Sequence, residues 1–398
     1  MNLQGLSRRT FLKTAGILAI AGFGRPFKLF ASEKRRLVAF PEKKELILLT
    51  SRPPNLETPL NYFKELITPE DVLFVRWHVH PVPTSVDLNL WRLRVGGNTE
   101  KELLLSMDDI KKLEKVTYTA VIQCSGNGRS FFEPRVAGGQ WGNGAMGNCT
   151  WGGVRLRDVL NIAGIKPGSV EVTFDGLDSV VMPSVPDFIK SLPVDKALED
   201  DVLLAYEING RPLPVLNGFP LRLIVPGWYA TYWVKSLTEI KVIDKAYEGF
   251  WMKPAYRIPD NPCGCVPPGE SPKKTVPISR MTTRSLILEP EEGAVIKTGR
   301  YTRISGIAFS GGYSIKDVIV SVDGDRTWHQ AELGRDLGRY SWIQWSYMWR
   351  PEKPGVYTLM AKATNSIGES QPFESLWNPS GYLWNKIEKV VITVKQGG

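Results

Sequence analysis

The spacing of apolar and polar positions changes near residue 280 of this 398-residue chain. From about residue 36 onward, apolar runs of strand length alternate with short stretches of helical periodicity. The pattern predicts strands at 116–123, 170–174 and 221–225, and helices at 107–114 and 156–163. We therefore expect an α+β fold, with a mixed domain over residues 36–280.

Residues 281–398 show short apolar runs at regular spacing, with turn signals between them. Strands are predicted at 285–288, 303–309, 317–323, 340–349, 357–364 and 390–394. The run Val318-Ile-Val-Ser-Val322 alternates and closes at the turn pair Asp323-Gly324. Several short strands at such spacing are typical of an immunoglobulin-like β-sandwich, which is the expected second domain.

A proline-rich segment, 258–277, lies between the two patterns and contains six prolines. Proline at this density predicts an extended, semi-rigid connector. The segment also holds Cys263 and Cys265, which stand too close in sequence for an unstrained bridge. We expect a pair of loop thiols, and the alternatives are a disulfide to another cysteine or a labile metal contact.

The first residues carry an export pattern. Arg8 and Arg9 precede the apolar run 14–24, which is shorter than the roughly 20 residues needed to cross a bilayer. This predicts a twin-arginine signal peptide over residues 1–31, cleaved after Ala31, and a periplasmic protein with no transmembrane segment. Removing the signal's five basic residues from the formal charge of +9 leaves +4. This mild charge, without a basic patch, gives nucleic-acid binding no support.

One cysteine stands at the end of a predicted strand. Cys124 closes the apolar run 118–123 and leads into Ser125-Gly-Asn-Gly-Arg129. Glycines let other backbone approach closely, and a nearby arginine favours the thiolate, which is the form that binds metals. From these residues alone, an inert buried thiol is the alternative.

Further motifs surround this cysteine in a fixed order. Phe74-Val-Arg76-Trp-His78 precedes it, and the motifs that follow are Leu204-Ala-Tyr206-Glu-Ile-Asn209-Gly210, Gly218-Phe-Pro-Leu-Arg222 and Trp233-Val-Lys235. The set resembles the molybdopterin-binding domain of the sulfite oxidase family over about residues 60–260. The C-terminal pattern resembles the dimerisation domain of that family, which implies a possible homodimer.

The resemblance implies specific roles. Cys124 is expected to be the single protein ligand of a molybdenum ion that one molybdopterin also holds. The expected catalytic residues are Arg76, Tyr256 and Arg129, the last lying behind the cysteine loop. The expected cofactor contacts, besides Cys124, are Arg76, His78, Ser125, Asp178, Asn217, Arg222 and Lys235. Arg222 and Lys235 would bind the pterin phosphate, because that group is an anion.

Two positions depart from the family pattern. Asn217 stands where the family has a pterin-contacting histidine. Ser380 stands where vertebrate-type sulfite oxidases have an arginine that reaches the substrate, and Arg257 is a candidate to replace that charge. A less positive pocket would also accept a thiol-linked sulfur or an uncharged S-oxide.

The expected reaction is the oxidation of sulfite, a small sulfur oxyanion, to sulfate. We expect no haem on this chain, because it has no Cys-x-x-Cys-His motif. Electrons are therefore expected to pass to a cytochrome c or a separate haem subunit. The alternatives are a sulfane dehydrogenase and a methionine sulfoxide reductase of the same fold. The family's reductases generally lack a C-terminal sandwich, so the predicted sandwich weighs against the reductase. A non-enzymatic binding sandwich is an alternative of a different class, but it would leave the cysteine loop unexplained.

Overall fold

Strands make up most of the regular structure, as the pattern of short apolar runs predicts. The structure is a computed structural model that describes residues 35–180, 182 and 184–397. The predicted signal peptide, residues 1–31, lies outside the described residues. Residues from Leu37 onward form one compact unit, so the domain boundary near residue 280 stays a prediction. Within the described residues, no helix is long and apolar enough to cross a membrane.

An antiparallel sheet at the beginning of the described chain leads to the first site residues. Its strands pair in chain order and are β1 (Leu37–Phe40), β2 (Lys43–Ser51), β3 (Pro54–Glu57) and β4 (Val75–Arg76). Leu46, Leu56 and Val75 are buried in a small core with Trp77. The sequence pattern did not predict this sheet, because its apolar side chains are spread over separated short strands.

Two further sheets form the larger core of the site region. The second sheet has the order β10-β9-β14-β5-β6, with strands β5 (Leu93–Gly97), β6 (Leu103–Leu105), β9 (Glu171–Gly176), β10 (Lys190–Pro193) and β14 (Leu237–Ile243). The third has the order β12-β11-β8-β7, with β13 also paired to β11, and its strands are β7 (Lys115–Gln123), β8 (Met146–Arg155), β11 (Leu203–Ile208), β12 (Arg211–Pro212) and β13 (Arg222–Ile224). All their pairings are antiparallel except that of β14 with β5.

The described α-helices are short and have clear local causes. They are α1 (Met107–Lys111), α2 (Leu156–Ala163) and α3 (Val194–Ala197). Ser106 and Asp109 form a reciprocal capping box at the start of α1. Helix α2 buries Leu156, Val159 and Leu160 on one face, as its 3.6-residue period predicts. Short 3-10 turns occupy Leu60–Lys64, Arg129–Phe131, Val215–Asn217 and Ala230–Tyr232.

The predicted sandwich is present in the C-terminal part. One sheet has the order β17-β19-β23-β22, with β17 (Arg284–Glu289), β19 (Thr302–Phe309), β22 (Glu332–Leu333) and β23 (Ile343–Trp349). The other has the order β18-β25-β24-β20-β21, with β18 (Val295–Lys297), β20 (Ile315–Ser321), β21 (His329–Gln330), β24 (Gly355–Asn365) and β25 (Lys389–Lys395). Side chains from both sheets share one buried cluster, including Ile304, Trp345 and Leu359.

An ion pair within the C-terminal part is bound by a side chain of the loop after Cys124. Arg284 Nη2 lies 2.7 Å from Glu388 Oε1 and also contacts Asn143 Oδ1. Asn143 Nδ2 in turn donates to Glu388 Oε2 at 2.7 Å. Arg284 is fully buried, so this network is a part of the core that depends on all three side chains.

The proline-rich segment is not the extended connector that its composition predicts. Its ends pair as an antiparallel hairpin of β15 (Arg257–Pro259) and β16 (Thr275–Pro277). Ladder hydrogen bonds between the ends outweigh the local stiffness of proline.

The expectation of two loop thiols was also wrong, because Cys263 and Cys265 form a disulfide with each other. Gly264 lies between them with φ +60°, and their Cα atoms are 5.1 Å apart. This separation falls within the usual disulfide range, so proximity in sequence did not prevent the bridge.

Candidate active site

Cys124 lies where β7 ends inside the protein. The last residues of β7 are fully buried, and the Cys124 amide donates to the Ala145 carbonyl at 2.9 Å. The turn closes when the Asn127 amide donates to the Cys124 carbonyl at 3.0 Å. Cys124 is a free thiol, and its side chain lines a narrow cleft.

The cleft gathers most of the predicted site residues. Of the ten, eight line it: Arg76, His78, Cys124, Ser125, Asn217, Arg222, Lys235 and Tyr256. They come from five separate segments of the chain, so the fold rather than local sequence brings them together. Its other lining side chains, which the sequence did not single out, are Phe74, Phe188, Leu216, Ala230 and Thr231.

His78 and Tyr256 form a pair on one side of the cleft. His78 Nε2 and the Tyr256 hydroxyl are hydrogen-bonded, and the imidazole stacks on Phe188 with ring centres 3.8 Å apart. Burial lowers the pKa of His78 well below its ordinary value, and the charges of Arg76 and Lys235 lower it further. The imidazole is therefore neutral at neutral pH.

The backbone of Tyr256 takes a conformation that an aromatic residue rarely adopts. Its φ is +58°, in the left-handed region, which costs on the order of 1–3 kcal/mol. The Ile278 amide donates to the Tyr256 carbonyl at 2.9 Å, and Tyr382 stacks on the phenol ring with centres 5.6 Å apart. Surrounding structure thus holds the hydroxyl at the cleft despite the local strain.

Arg76 stands at the end of β4, and its guanidinium is fixed by neighbouring oxygens. Its Nη1 donates to Asn55 Oδ1 at 3.2 Å and to the Trp77 carbonyl. These bonds orient a half-buried cation at the wall of the cleft. An anion entering the cleft would meet this charge.

Arg222 and Lys235 form the second cationic wall. Arg222 donates from Nε to the Trp233 carbonyl at 3.2 Å and from Nη1 to the Asn217 carbonyl at 2.9 Å. Lys235 lies over the Trp77 ring, 4.3 Å from its centre, and burial lowers its lysine pKa. Two buried cations side by side favour an anionic ligand.

Asn217 is engaged by a residue that the sequence did not single out. Its Oδ1 accepts a hydrogen bond from Lys43 Nζ, and its Nδ2 donates to the Phe74 carbonyl at 3.1 Å. Lys43 comes from β2 and also donates to the Leu73 carbonyl at 3.1 Å. The two partners are 174 residues apart, so spacing gave no signal of this contact.

Arg129 and Asp178 are the predicted site residues that do not line the cleft. The Arg129 guanidinium lies behind the cysteine loop, donating to the carbonyls of Ser380 and Gly139, both at 3.2 Å. A Cβ at Gly126 would lie 2.6 Å from Arg129 Nη1, so glycine is needed for this approach. Asp178 is buried, and its charge raises the pKa of Lys235 against the effect of burial.

Neither Ser380 nor Arg257 lines the cleft in the described structure. The Ser380 hydroxyl donates to the Arg257 carbonyl at 2.9 Å. The Arg257 guanidinium donates to Thr275 Oγ1 at 2.7 Å and to the Met252 carbonyl at 3.1 Å, within its own hairpin region. The structure thus gives no support to Arg257 as the substitute for the family arginine.

Comparison with known proteins decides the family. Residues 79–251 match the oxidoreductase molybdopterin binding domain, and residues 275–395 match the Mo-co oxidoreductase dimerisation domain. Sulfite oxidase of Arabidopsis thaliana is 30% identical over 384 residues, covering 87% of this chain and 94% of the relative. The chain belongs to the sulfite oxidase family. The predicted class, a molybdopterin oxidoreductase of this family, is confirmed.

Other comparisons set the extent of the likeness within the sulfite oxidase family. The mitochondrial sulfite oxidase of Drosophila melanogaster is 35% identical over 385 residues, covering 89% of this chain. This chain spans only 64% of the fly protein's length. The crystal structure of the sulfane dehydrogenase SoxCD from Paracoccus pantotrophus shares the fold, with a TM-score of 0.73 and 24% identity, over 98% of this chain and 100% of that one.

The cleft fits the molybdopterin that a sulfite oxidase family member binds. Ser125 Oγ and His78 Nδ1 are buried at its wall without hydrogen-bond partners among the described residues. Buried polar atoms are almost always paired, so these two suit the polar edges of a bound ligand. Cations at Arg76, Arg222 and Lys235 suit its phosphate and an oxyanion beside it.

Proposed function

We propose that this chain oxidises sulfite to sulfate with a molybdopterin-bound molybdenum whose protein ligand is Cys124. The cleft carries the proposal: it places a free thiol among Arg76, Arg222 and Lys235 and beside the His78–Tyr256 pair. A cysteine binds metals as the thiolate, and the cations suit an anionic cofactor and substrate. The reaction takes sulfite and water to sulfate, two protons and two electrons.

The roles of the protein residues follow from their contacts. When bound, the molybdenum cofactor supplies the oxygen-atom transfer and accepts the two electrons. Arg76 holds the anion, because its guanidinium is oriented at the cleft by Asn55 and Trp77. The hydrogen-bonded pair of the Tyr256 hydroxyl and His78 relays one of the released protons out of the cleft; the lowered pKa of His78 means that the imidazole passes the proton on and does not retain it.

The electrons pass to a partner in this proposal. Two electrons must leave the cleft one at a time for a haem acceptor. The sequence carries no Cys-x-x-Cys-His motif for a covalently attached haem. We therefore propose an external cytochrome c or a separate haem subunit as acceptor.

Compartment and assembly state belong to the same proposal. Arg8 and Arg9 support export of the folded protein by the twin-arginine route to the periplasm. The match of residues 275–395 to a dimerisation domain supports a homodimer formed through this part of the chain. Sedimentation analysis checks the dimer, and fractionation of the expressing cells checks the compartment.

A sulfane dehydrogenase activity is the second candidate. It is favoured by Ser380, whose hydroxyl faces the Arg257 carbonyl and leaves the cleft without a C-terminal arginine. A substrate with sulfur bound to a carrier would need less positive charge than free sulfite. A methionine sulfoxide reductase would remove oxygen from sulfur instead of adding it. An assay in the reducing direction therefore distinguishes this activity from the other two.

Three assays of the molybdenum-loaded protein decide between these reactions. The first follows reduction of cytochrome c with sulfite, the second uses a persulfide-bearing thiol in place of sulfite, and the third follows methionine sulfoxide reduction by a low-potential dye. We expect turnover in the first. Turnover only in the second or only in the third would refute sulfite oxidation.

The metal ligand is tested by Cys124→Ser. A serine hydroxyl is a poor ligand where a thiolate is needed, so activity should fall at least about 1000-fold while the fold is kept. Cys149→Ser is the matched control, because Cys149 is also a free buried thiol but does not line the cleft. Metal content and turnover equal to wild type in Cys124→Ser would show that this thiol is not the ligand.

A further inference from the structure

Lys190 is a buried lysine close to the cleft that has no assigned role. It is only 1% exposed, and Nζ donates to the Trp251 carbonyl at 2.5 Å. The ammonium faces two aromatic rings, 4.7 Å from the centre of Tyr232 and 5.0 Å from that of Tyr256. Among the described residues, no carboxylate forms an ion pair with it or raises its pKa.

A neighbouring lysine that also lies over an aromatic ring does have a counter-ion. Lys196 on α3 also lies over a ring, 5.3 Å from the centre of Trp228, but it forms an ion pair with Glu199. Aromatic faces offset only part of the cost of burying a cation. The described side chains around Lys190 supply no counter-charge, so an anion bound nearby would stabilise its charged form.

The charge of Lys190 reaches the cleft. The Tyr256 ring beneath it lines the cleft. His78 also lines the cleft, and Lys190 is one of the cations that lower its pKa, after burial, Arg76 and Lys235.

Among the described residues, no arginine from the C-terminal part lines the cleft. Ser380 and Arg257 make hydrogen bonds away from it. We propose that Lys190, acting from behind Tyr256, adds a positive charge to that of Arg76 in holding the anionic substrate, and is thus a positioning residue for oxyanion binding. The identity of the substrate as sulfite rests on the proposed function, whereas oxyanion binding does not.

The charge of Lys190 depends on pH near neutrality. Burial, and then the charge of Arg257, lower its pKa to about 7. The groups facing it are Tyr232, Tyr256, His78 and Arg257, and none of them brings a negative charge at this pH. The ammonium is protonated below pH 7 and loses its proton above it, so oxyanion affinity should fall as the pH rises through 7.

The experiment compares the molybdenum-loaded wild type with Lys190→Met and Lys190→Arg between about pH 6 and pH 8.5. It measures kcat and KM for sulfite, and sulfate binding by calorimetry, which needs no turnover. Lys190→Met should raise KM and the sulfate dissociation constant about tenfold at pH 6, with kcat within about twofold. Above pH 7, Lys190→Arg should keep both constants lower than in the wild type, because arginine does not deprotonate. A smaller rise with pH should remain in this variant, because burial also lowers the pKa of Lys235, which lines the cleft, to about 7.

Lys196→Met is the matched control and should leave both constants unchanged. If Lys190→Met loses its cooperative thermal unfolding transition, Lys190→Gln is used as the neutral variant instead. Equal sulfate affinity in wild type and the neutral variant at pH 6 would overturn the inference. Sulfate binding that depends on Lys190, in a protein that does not oxidise sulfite, would overturn the proposed reaction and leave this inference standing.

Discussion

The hydroxyl of Tyr256 is a single group on which several features of the chain converge. A left-handed backbone, a stacked Tyr382 and a hydrogen bond to His78 all fix its position. Strained backbone persists only where surrounding structure over-determines it, and such positions cluster at functional sites. At the residue scale, this hydroxyl is the group whose removal should be most informative.

Tyr256→Phe keeps the ring and removes the hydroxyl. Because the hydroxyl that passes the proton to His78 is then missing, kcat should fall on the order of 100-fold. The free energy of unfolding should change by only about 1 kcal/mol, since one hydrogen bond is lost. Steady-state kinetics and urea unfolding measure the two effects.

Tyr229→Phe is the control for Tyr256→Phe. Tyr229 is also buried, but its hydroxyl pairs with Thr282 at 3.4 Å rather than with a cleft residue. Its kcat should equal that of the wild type. A wild-type kcat in Tyr256→Phe would remove the hydroxyl from the mechanism.

The cysteine loop is an element whose course depends on close backbone approach. Gly128 has φ +85°, and a Cβ there would overlap the Trp384 side chain. The space that a Cβ at Gly126 would need is occupied by the Arg129 guanidinium. Trp384 comes from the C-terminal part of the chain, so the conformation of the loop and the packing of that part depend on each other. Small residues in this loop are thus a requirement of packing as well as of turn geometry.

Gly128→Ala should destabilise the protein by about 2–4 kcal/mol, because it adds overlap with Trp384 to left-handed strain. Gly168→Ala is matched in conformation, with φ +82°, but a Cβ there meets nothing within 4 Å. It should cost only about 1 kcal/mol. Chemical unfolding of both variants measures the difference, and equal losses would mean that the overlap is relieved without cost.

Sequence reasoning succeeded where signals are local and failed where contacts are distant. Helix α2 was predicted with its observed bounds, because its apolar face has a clear period. From the order of the motifs we predicted that Cys124 and its partners share one site, and most of them line one cleft. In contrast, the Lys43–Asn217 bond joins residues far apart in the chain, and the burial of Lys190 depends on rings from two other segments. Nothing in the local sequence indicates such contacts.

At the scale of the whole molecule, the sandwich and the cysteine-loop region are joined by buried polar groups. The network of Arg284, Glu388 and Asn143 is the clearest example. Removing one partner leaves a buried charge uncompensated, which is far more costly than losing an exposed pair. The stability of the site region therefore depends on side chains from the sandwich.

Glu388→Gln should lower the free energy of unfolding by roughly 3–5 kcal/mol, because Arg284 then stays buried without a counter-ion. Glu374→Gln is the control, since its pair with Lys386 is exposed, and its effect should stay within about 0.5 kcal/mol. Calorimetric unfolding measures both. Equal effects would show that the buried network contributes no more than a surface pair.

The disulfide between Cys263 and Cys265 closes a three-residue ring. It bears on the order in which folding, cofactor insertion, export and disulfide formation occur. Both cysteines are half-buried in a surface hairpin, so oxidation needs no unfolding. Under the proposed export, the chain folds and receives its cofactor in a reducing compartment, where disulfides are rare. The bridge would then be the last covalent bond to form, after translocation. Protein retained in the cytoplasm should be heavier than the exported form by the two thiol hydrogens, besides its uncleaved signal.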